Sequence, residues 1–126
     1  MIRIPASRGV GTRTEVRCPD PACNPYLAFA MMLNSGLDGI KNNLEAPSSV
    51  DQDIFSMTAA EKEAAGIESL PANLKEALEA LKVNPIAEET LGSHIFENYI
   101  DNKEKEWDSY RTAVTDWELE NYLNTY

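Results

Sequence analysis

The sequence predicts an α+β chain: short antiparallel strands within about residues 2–18, then a mostly helical region from about residue 24 to residue 126. Two observations predict it. Residues 12–18 alternate, with Arg13, Glu15 and Arg17 on one face and Thr14, Val16 and Cys18 on the other, which is the period of a strand. Beyond Asn24 the apolar residues recur at helical spacing behind helix-start signals, Asn-Pro at 24–25 and 84–85 and Thr-x-x-Glu at 58–61 and 115–118. A chain of 126 residues can build one domain with a core, not two.

The elements follow in order. Residues 2–5 read as a short strand ended by Pro5, which has no N–H for a ladder. Residues 6–11, with Ser7, Gly9 and Gly11, read as a sharply bending loop. The strand over 12–18 projects Arg13, Glu15 and Arg17 on one side at intervals of roughly 7 Å, which suits a polar ligand lying along it. After a turn at 20–24, a helix is predicted over about 25–41. Its start is apolar nearly all round, from Leu27 to Leu33, so it needs cover from other parts of a larger structure. Gly36 and Gly39 weaken it and permit close packing. Residues 42–57 read as a surface excursion. A short helix follows Thr58 and stops at Gly66; Leu74, Ala77, Leu78 and Leu81 mark the next. The helix opened by Asn84-Pro85 closes at Gly92, and a longer one runs over about 93–114 with Ile95, Phe96, Tyr99, Ile100, Trp107 and Tyr110 as its apolar positions. The tail, 115–126, carries Trp117, Leu119, Tyr122 and Leu123. Termini usually fray; one this rich in aromatic and leucine side chains wants a pocket, on its own domain or on another subunit.

Composition bounds the function. With 43% hydrophobic and 25% charged residues the chain reads as an ordinary folded protein. No apolar run spans a membrane and no signal-peptide pattern opens the chain, so the expected compartment is the cytoplasm. A net charge of −10 argues against nucleic-acid binding through a broad basic face. The charge is segregated, however: Arg3, Arg8, Arg13 and Arg17 crowd the first 17 residues beside the single acid Glu15. Arginine forks match phosphate and carboxylate oxygens, so such a cluster asks for an anionic partner; the alternative is that the arginines solvate a strand face. Cys18 and Cys23 lack the spacing of a zinc site and read as reduced thiols. His94, the one histidine, reads as a packing or capping residue.

Four pieces stand in the order and spacing of one family: Arg3-Ile4-Pro5, Arg13-Thr14-Glu15-Val16-Arg17, Asp20-Pro21-Ala22-Cys23-Asn24-Pro25-Tyr26-Leu27, and Gly36-Leu37-Asp38-Gly39-Ile40. Together with Glu45-Ala46-Pro47, Leu70-Pro71 and Trp117-Glu118-Leu119, they resemble the C-terminal part of the catalytic domain of bacterial type I glutamine synthetases, closest to the Gram-positive-like subtype, over essentially the whole chain. The resemblance implies an enzyme that joins ammonia to the side-chain carboxylate of glutamate at the expense of ATP, through γ-glutamyl phosphate. It implies Mg2+ or Mn2+ at the phosphates and active sites between subunits of a two-ring dodecamer. It also implies roles. Glu15 is similar to the family's glutamate ligand to a divalent metal, and a hard cation takes carboxylate oxygen. Arg17 resembles the arginine that holds substrate glutamate. Arg13 and Arg3 resemble arginines at the nucleotide phosphates, Arg3 also at the transferred phosphoryl group, where positive charge stabilises phosphoryl transfer. Arg8 lies where the match is loose and takes no role. Trp117, Leu119, Tyr122 and Leu123 match the family's tail and are expected at an oligomer contact with the opposite ring.

Relative to the family, the N-terminal β-grasp domain, the other metal-binding glutamates and the residues that deprotonate ammonium are missing. Met1 stands where the catalytic sheet would already have begun. The expectation is therefore a fragment, inactive alone, of an active parent. Phe55 falls where some type I enzymes carry a tyrosine that is adenylylated, and it has no hydroxyl to modify. Two other readings remain open: a helical interaction module for subunit assembly or for nitrogen-responsive transcription repressors, and a related ligase that glutamylates amines.

Overall fold

The computed structural model describes residues 2–123; Met1 and residues 124–126 of the predicted tail lie outside the described residues. Two strands, β1 (Ile2–Arg3) and β2 (Glu15–Val16), pair antiparallel with Ile2 opposite Val16 and Arg3 opposite Glu15. Both are shorter than the alternation in the sequence suggests. Pro5 removes a donor just beyond β1, the chain turns away, and β2 has a partner over only two residues. Between them Gly9–Gly11 forms a 3-10 turn, with Gly9 in the left-handed region at φ 68°.

The helices begin where their caps place them. In α1 (Pro25–Lys41) the Asn24 side chain accepts from the N–H groups of Tyr26 and Leu27 at 3.0 and 3.4 Å, and Pro25 occupies the first turn, where no N–H is needed. Asn43, at φ 50°, turns the chain out after the helix. Both Thr-x-x-Glu sequences form complete capping boxes, ahead of α2 (Ala59–Ala64) and of α5 (Asp116–Tyr122). Asn73 caps α3 (Leu74–Lys82) and Asn84 caps α4 (Pro85–Thr112).

Helix α4 packs against both α1 and α3. Leu78 of α3 and Ala87 and Phe96 of α4 are buried. Two polar ties lock the packing. The Thr90 hydroxyl accepts from Asn34 Nδ2 of α1 at 2.8 Å and donates to the Ile86 carbonyl. Lys82 Nζ of α3 lies 2.6 Å from Glu104 Oε1 of α4 and 3.2 Å from Glu79 Oε1.

The cover expected around α1 is present on one side only. Leu27, Ala28, Met31 and Asn34 are half-buried, whereas Tyr26, Phe29, Leu33 and Ile40 form an exposed stripe, Tyr26 at 84% and Ile40 at 75%. No α1 residue is fully buried. His94 differs from expectation: it is exposed, and its carbonyl accepts from Asn98 Nδ2 at 2.7 Å, a bond inside the helix that involves neither packing nor a cap.

Gly92 behaves as the sequence suggests, breaking the helical backbone of α4 at φ 71°, ψ 150°. A Cβ there would touch nothing within 4 Å, so the demand for glycine is purely conformational. Gly92→Ala is therefore expected to destabilise the helical region by about 1–3 kcal/mol despite the open space. Urea unfolding followed by circular dichroism measures it, and an unchanged midpoint would show that the break is not required.

Candidate functional site

The hairpin register builds the site. Alternation puts Arg13, Glu15 and Arg17 on one face of the extended segment, and pairing places Arg3 directly across from Glu15, where side chains of opposite strands meet. All three arginines close on the one carboxylate. Oε2 accepts from Arg3 Nη1 at 3.1 Å and from Arg17 Nη2 and Nε at 3.0 and 3.3 Å. Oε1 accepts from Arg13 Nη2 and Nε at 2.7 and 3.1 Å. The Glu15 side chain is 22% exposed, and the arginines are about half exposed.

The electrostatic consequence is direct. Arg3 foremost, with Arg13 and Arg17, holds the Glu15 carboxyl down to about 2 from an ordinary 4.5, against a smaller opposing effect of desolvation. Three guanidinium groups against one carboxylate leave the cluster with positive charge to spare, on a chain whose net charge is −10. It is equipped to receive phosphate or carboxylate oxygens. Glu15 stays ionised and can supply one oxygen to a hard cation. Among the described residues no group of three or more His, Cys, Asp or Glu could hold a metal. Glu15 alone would therefore offer a divalent cation one carboxylate, and further ligands would have to complete its shell.

The other face of the hairpin is apolar. Ile2 and Val16 join Cys18, Cys23, Met31 and Met32 around a groove of about 600 Å3 between the hairpin and α1, and both cysteines are exposed thiols. The connector to α1 is folded by Asp20: its side chain accepts from Ala22 N at 2.7 Å and its carbonyl from Cys23 N at 3.0 Å.

The tail side chains predicted at an oligomer contact are far from this cluster in the chain and unburied. Trp117 is 60% and Leu123 69% exposed, with Leu119 and Tyr122 also exposed; the Trp117 and Tyr122 rings meet edge to face at 5.5 Å. Phe55 sits on a 3-10 turn, Ile54–Ser56, capped by Asp53, and is 97% exposed. One contribution escaped the sequence reading. Arg8 turns from Glu15 to the backbone, donating from Nη1 to the carbonyls of Pro5 at 2.7 Å and Ser7 at 3.1 Å. Guanidinium-to-carbonyl contacts leave no pattern in spacing.

A hairpin that rings a carboxylate with arginines, set beside a partly covered helical layer, defines an α+β chain with one concentrated cationic site. Residues 1–122 match the family model described as glutamine synthetase, catalytic domain. The chain is 56% identical over 126 residues to a glutamine synthetase of Clostridium saccharobutylicum, covering 100% of this chain and 28% of that protein. It is 59% identical over 123 residues to one of Methanococcus maripaludis (98% and 28%), and 50% over 126 residues to one of Staphylococcus aureus (100% and 28%). A solved structure described as "Apo GmaS without ligand" aligns with a TM-score of 0.74 at 33% identity, over 88% of this chain and 25% of that one. The chain belongs to the glutamine synthetase catalytic-domain family, and it spans a little over a quarter of the length of these curated relatives.

The ion cluster sets a pH window. Because the folded value of Glu15 lies below the unfolded one, its contribution is complete above about 4.5 and is lost as pH falls toward about 2. Carbon-detected NMR of the Glu15 carboxyl should show a midpoint near the lower value. Titration at an ordinary 4.5 would mean that the three arginines do not hold it in solution.

Proposed function

We propose that this chain is the C-terminal part of the catalytic domain of a glutamine synthetase, which ligates ammonia to glutamate with ATP through γ-glutamyl phosphate. The observation that carries the reading is the convergence of Arg3, Arg13 and Arg17 on Glu15, in a chain that belongs to this family. The family resemblance assigns the roles. Arg17 offers its fork to the glutamate substrate; Arg13 and Arg3 face the ATP phosphates, and Arg3 also stabilises charge on the transferred phosphoryl group. Glu15 presents an ionised oxygen to a divalent cation, Mg2+ or Mn2+, which when bound neutralises phosphate charge. Until anions arrive, Glu15 keeps the three guanidinium groups together and aimed at one point, so that binding exchanges one carboxylate for others with little rearrangement.

The parent works in the cytoplasm on this reading, as a two-ring dodecamer whose partners are other subunits and, in some relatives, nitrogen-responsive transcription repressors. No helix among the described residues is long and apolar enough to cross a membrane. The exposed stripe on α1 and the exposed tail favour subunit contact as the second task of the helical region.

The chemistry is tested in the full-length parent and in the chain alone. Glu15→Ala should lower metal-dependent glutamine formation by orders of magnitude with the fold intact. Arg17→Ala should chiefly raise KM for glutamate, and Arg3→Ala KM for ATP. The purified chain alone should show no turnover, since one carboxylate cannot hold a metal pair and the ATP phosphates. Steady-state kinetics near wild type for all three variants would refute the site.

The tail is tested by assembly. Burying Trp117, Leu119, Tyr122 and Leu123 contributes at most roughly 1.5–3 kcal/mol each. Deleting residues 117–126 from the parent should leave the protomer folded and weaken the contact between rings. Light scattering on dilution decides it: a dodecamer as persistent as wild type would place the tail's role elsewhere.

A further inference from the structure

We propose that Arg8 is a positioning residue for the Glu15 cluster, its Nη1 clamping the carbonyls of Pro5 and Ser7 and so holding the loop that sets Arg3 opposite Glu15. The proposal rests on the assignment of Arg3, Arg13 and Arg17 to substrate anions.

The need for a clamp follows from the strands. Two residues in each strand are too few for a stable hairpin, because an isolated two-stranded ribbon is marginal even when longer. The register must therefore be held by the segment between them, residues 4–14, whose ends lose loop-closure entropy on meeting. That segment is tied at successive points. Arg8 Nη1 donates to the Pro5 carbonyl at 2.7 Å and the Ser7 carbonyl at 3.1 Å, using both of its hydrogens on the arm that leaves β1. Pro5 itself is buried. Next, Gly9 enters the left-handed region at φ 68°, and Thr12 N closes on its carbonyl at 3.1 Å. The two arms then touch: a Cβ on Gly11 would stand 3.1 Å from Ser7 Cβ, so the bare Cα of Gly11 lies against the residue that Arg8 holds. Finally, the Gly11 carbonyl accepts from Arg13 Nη1 at 3.2 Å, while the same guanidinium binds Glu15 through Nε and Nη2. The path runs unbroken from Arg8 through Ser7, Gly11 and Arg13 to Glu15, and back across the hairpin to Arg3.

Arg8 thus spends its positive charge on backbone carbonyls and acts on the site through its neighbours. Because both bonds come from a single nitrogen, a lysine ammonium can replace them, whereas alanine cannot. This gives a test that mere loss of stability would not mimic. In the 126-residue chain, Arg8→Ala should abolish the cross-strand NOEs between Ile2 and Val16 and between Arg3 and Glu15, leaving those between α1 and α4 in place; Arg8→Lys should retain both sets. In the full-length parent, Arg8→Ala should raise KM for ATP about fivefold, the scale of one ordinary hydrogen bond, with recovery to within about twofold in Arg8→Lys. Cross-strand NOEs unchanged by Arg8→Ala, an unmoved KM for ATP, or a lysine variant no better than alanine would each overturn the proposal. Failure of the underlying site assignment shows separately, as a Glu15→Ala parent that keeps its activity, and leaves the NOE comparison intact.

Discussion

The polar half of this structure depends on one carboxylate shared by three guanidinium groups. Without Glu15, Arg3, Arg13 and Arg17 would stand as like charges within a few ångströms and would spread into solvent. With it, they point at a common centre. Each contact is an exposed ion pair, a kind that contributes little to stability when taken singly. Its value here is geometric: the hairpin has almost no ladder, and the shared carboxylate joins its strands through side chains where backbone bonds are few. One carboxylate thus organises positive charge that the backbone ladder alone would leave unordered.

The helical half supplies the rigid reference. The Asp20 turn and the Asn24 cap fasten the connector to the start of α1, eight residues from Arg17, and α1 is in turn tied to α4 through Asn34 and Thr90. Gly92 divides α4 into two arms. The first carries Thr90 toward α1, and the second carries Glu104 toward Lys82 of α3. One helix thereby contacts two neighbours, with the break at Gly92 between the two polar ties.

How much of this could be read beforehand follows from the range of each interaction. Helix starts were legible because caps are local: Asn24, Thr58, Asn84 and Thr115 each act on an N–H two or three residues away, and all four cap as the sequence suggests. Strand lengths were not legible, because pairing depends on a partner remote in sequence and a proline beyond it. The face shared by Arg13, Glu15 and Arg17 was visible in the period of two. The meeting of Arg3 with Glu15 was not, since it comes from register across 12 residues. For α1, the apolar run stated a demand for cover, while the cover available is a property of everything else folded around it. His94 shows the same limit: apolar neighbours in sequence did not place its ring inside.

The bare stripe on α1 has a colloidal consequence. Tyr26, Phe29, Leu33 and Ile40 leave apolar surface exposed, while a net charge of −10 makes copies of the chain repel one another. That repulsion reaches only about 8 Å at physiological ionic strength and less in stronger brine. Added salt, or acid that neutralises its carboxylates, therefore weakens the repulsion that opposes contact between apolar stripes.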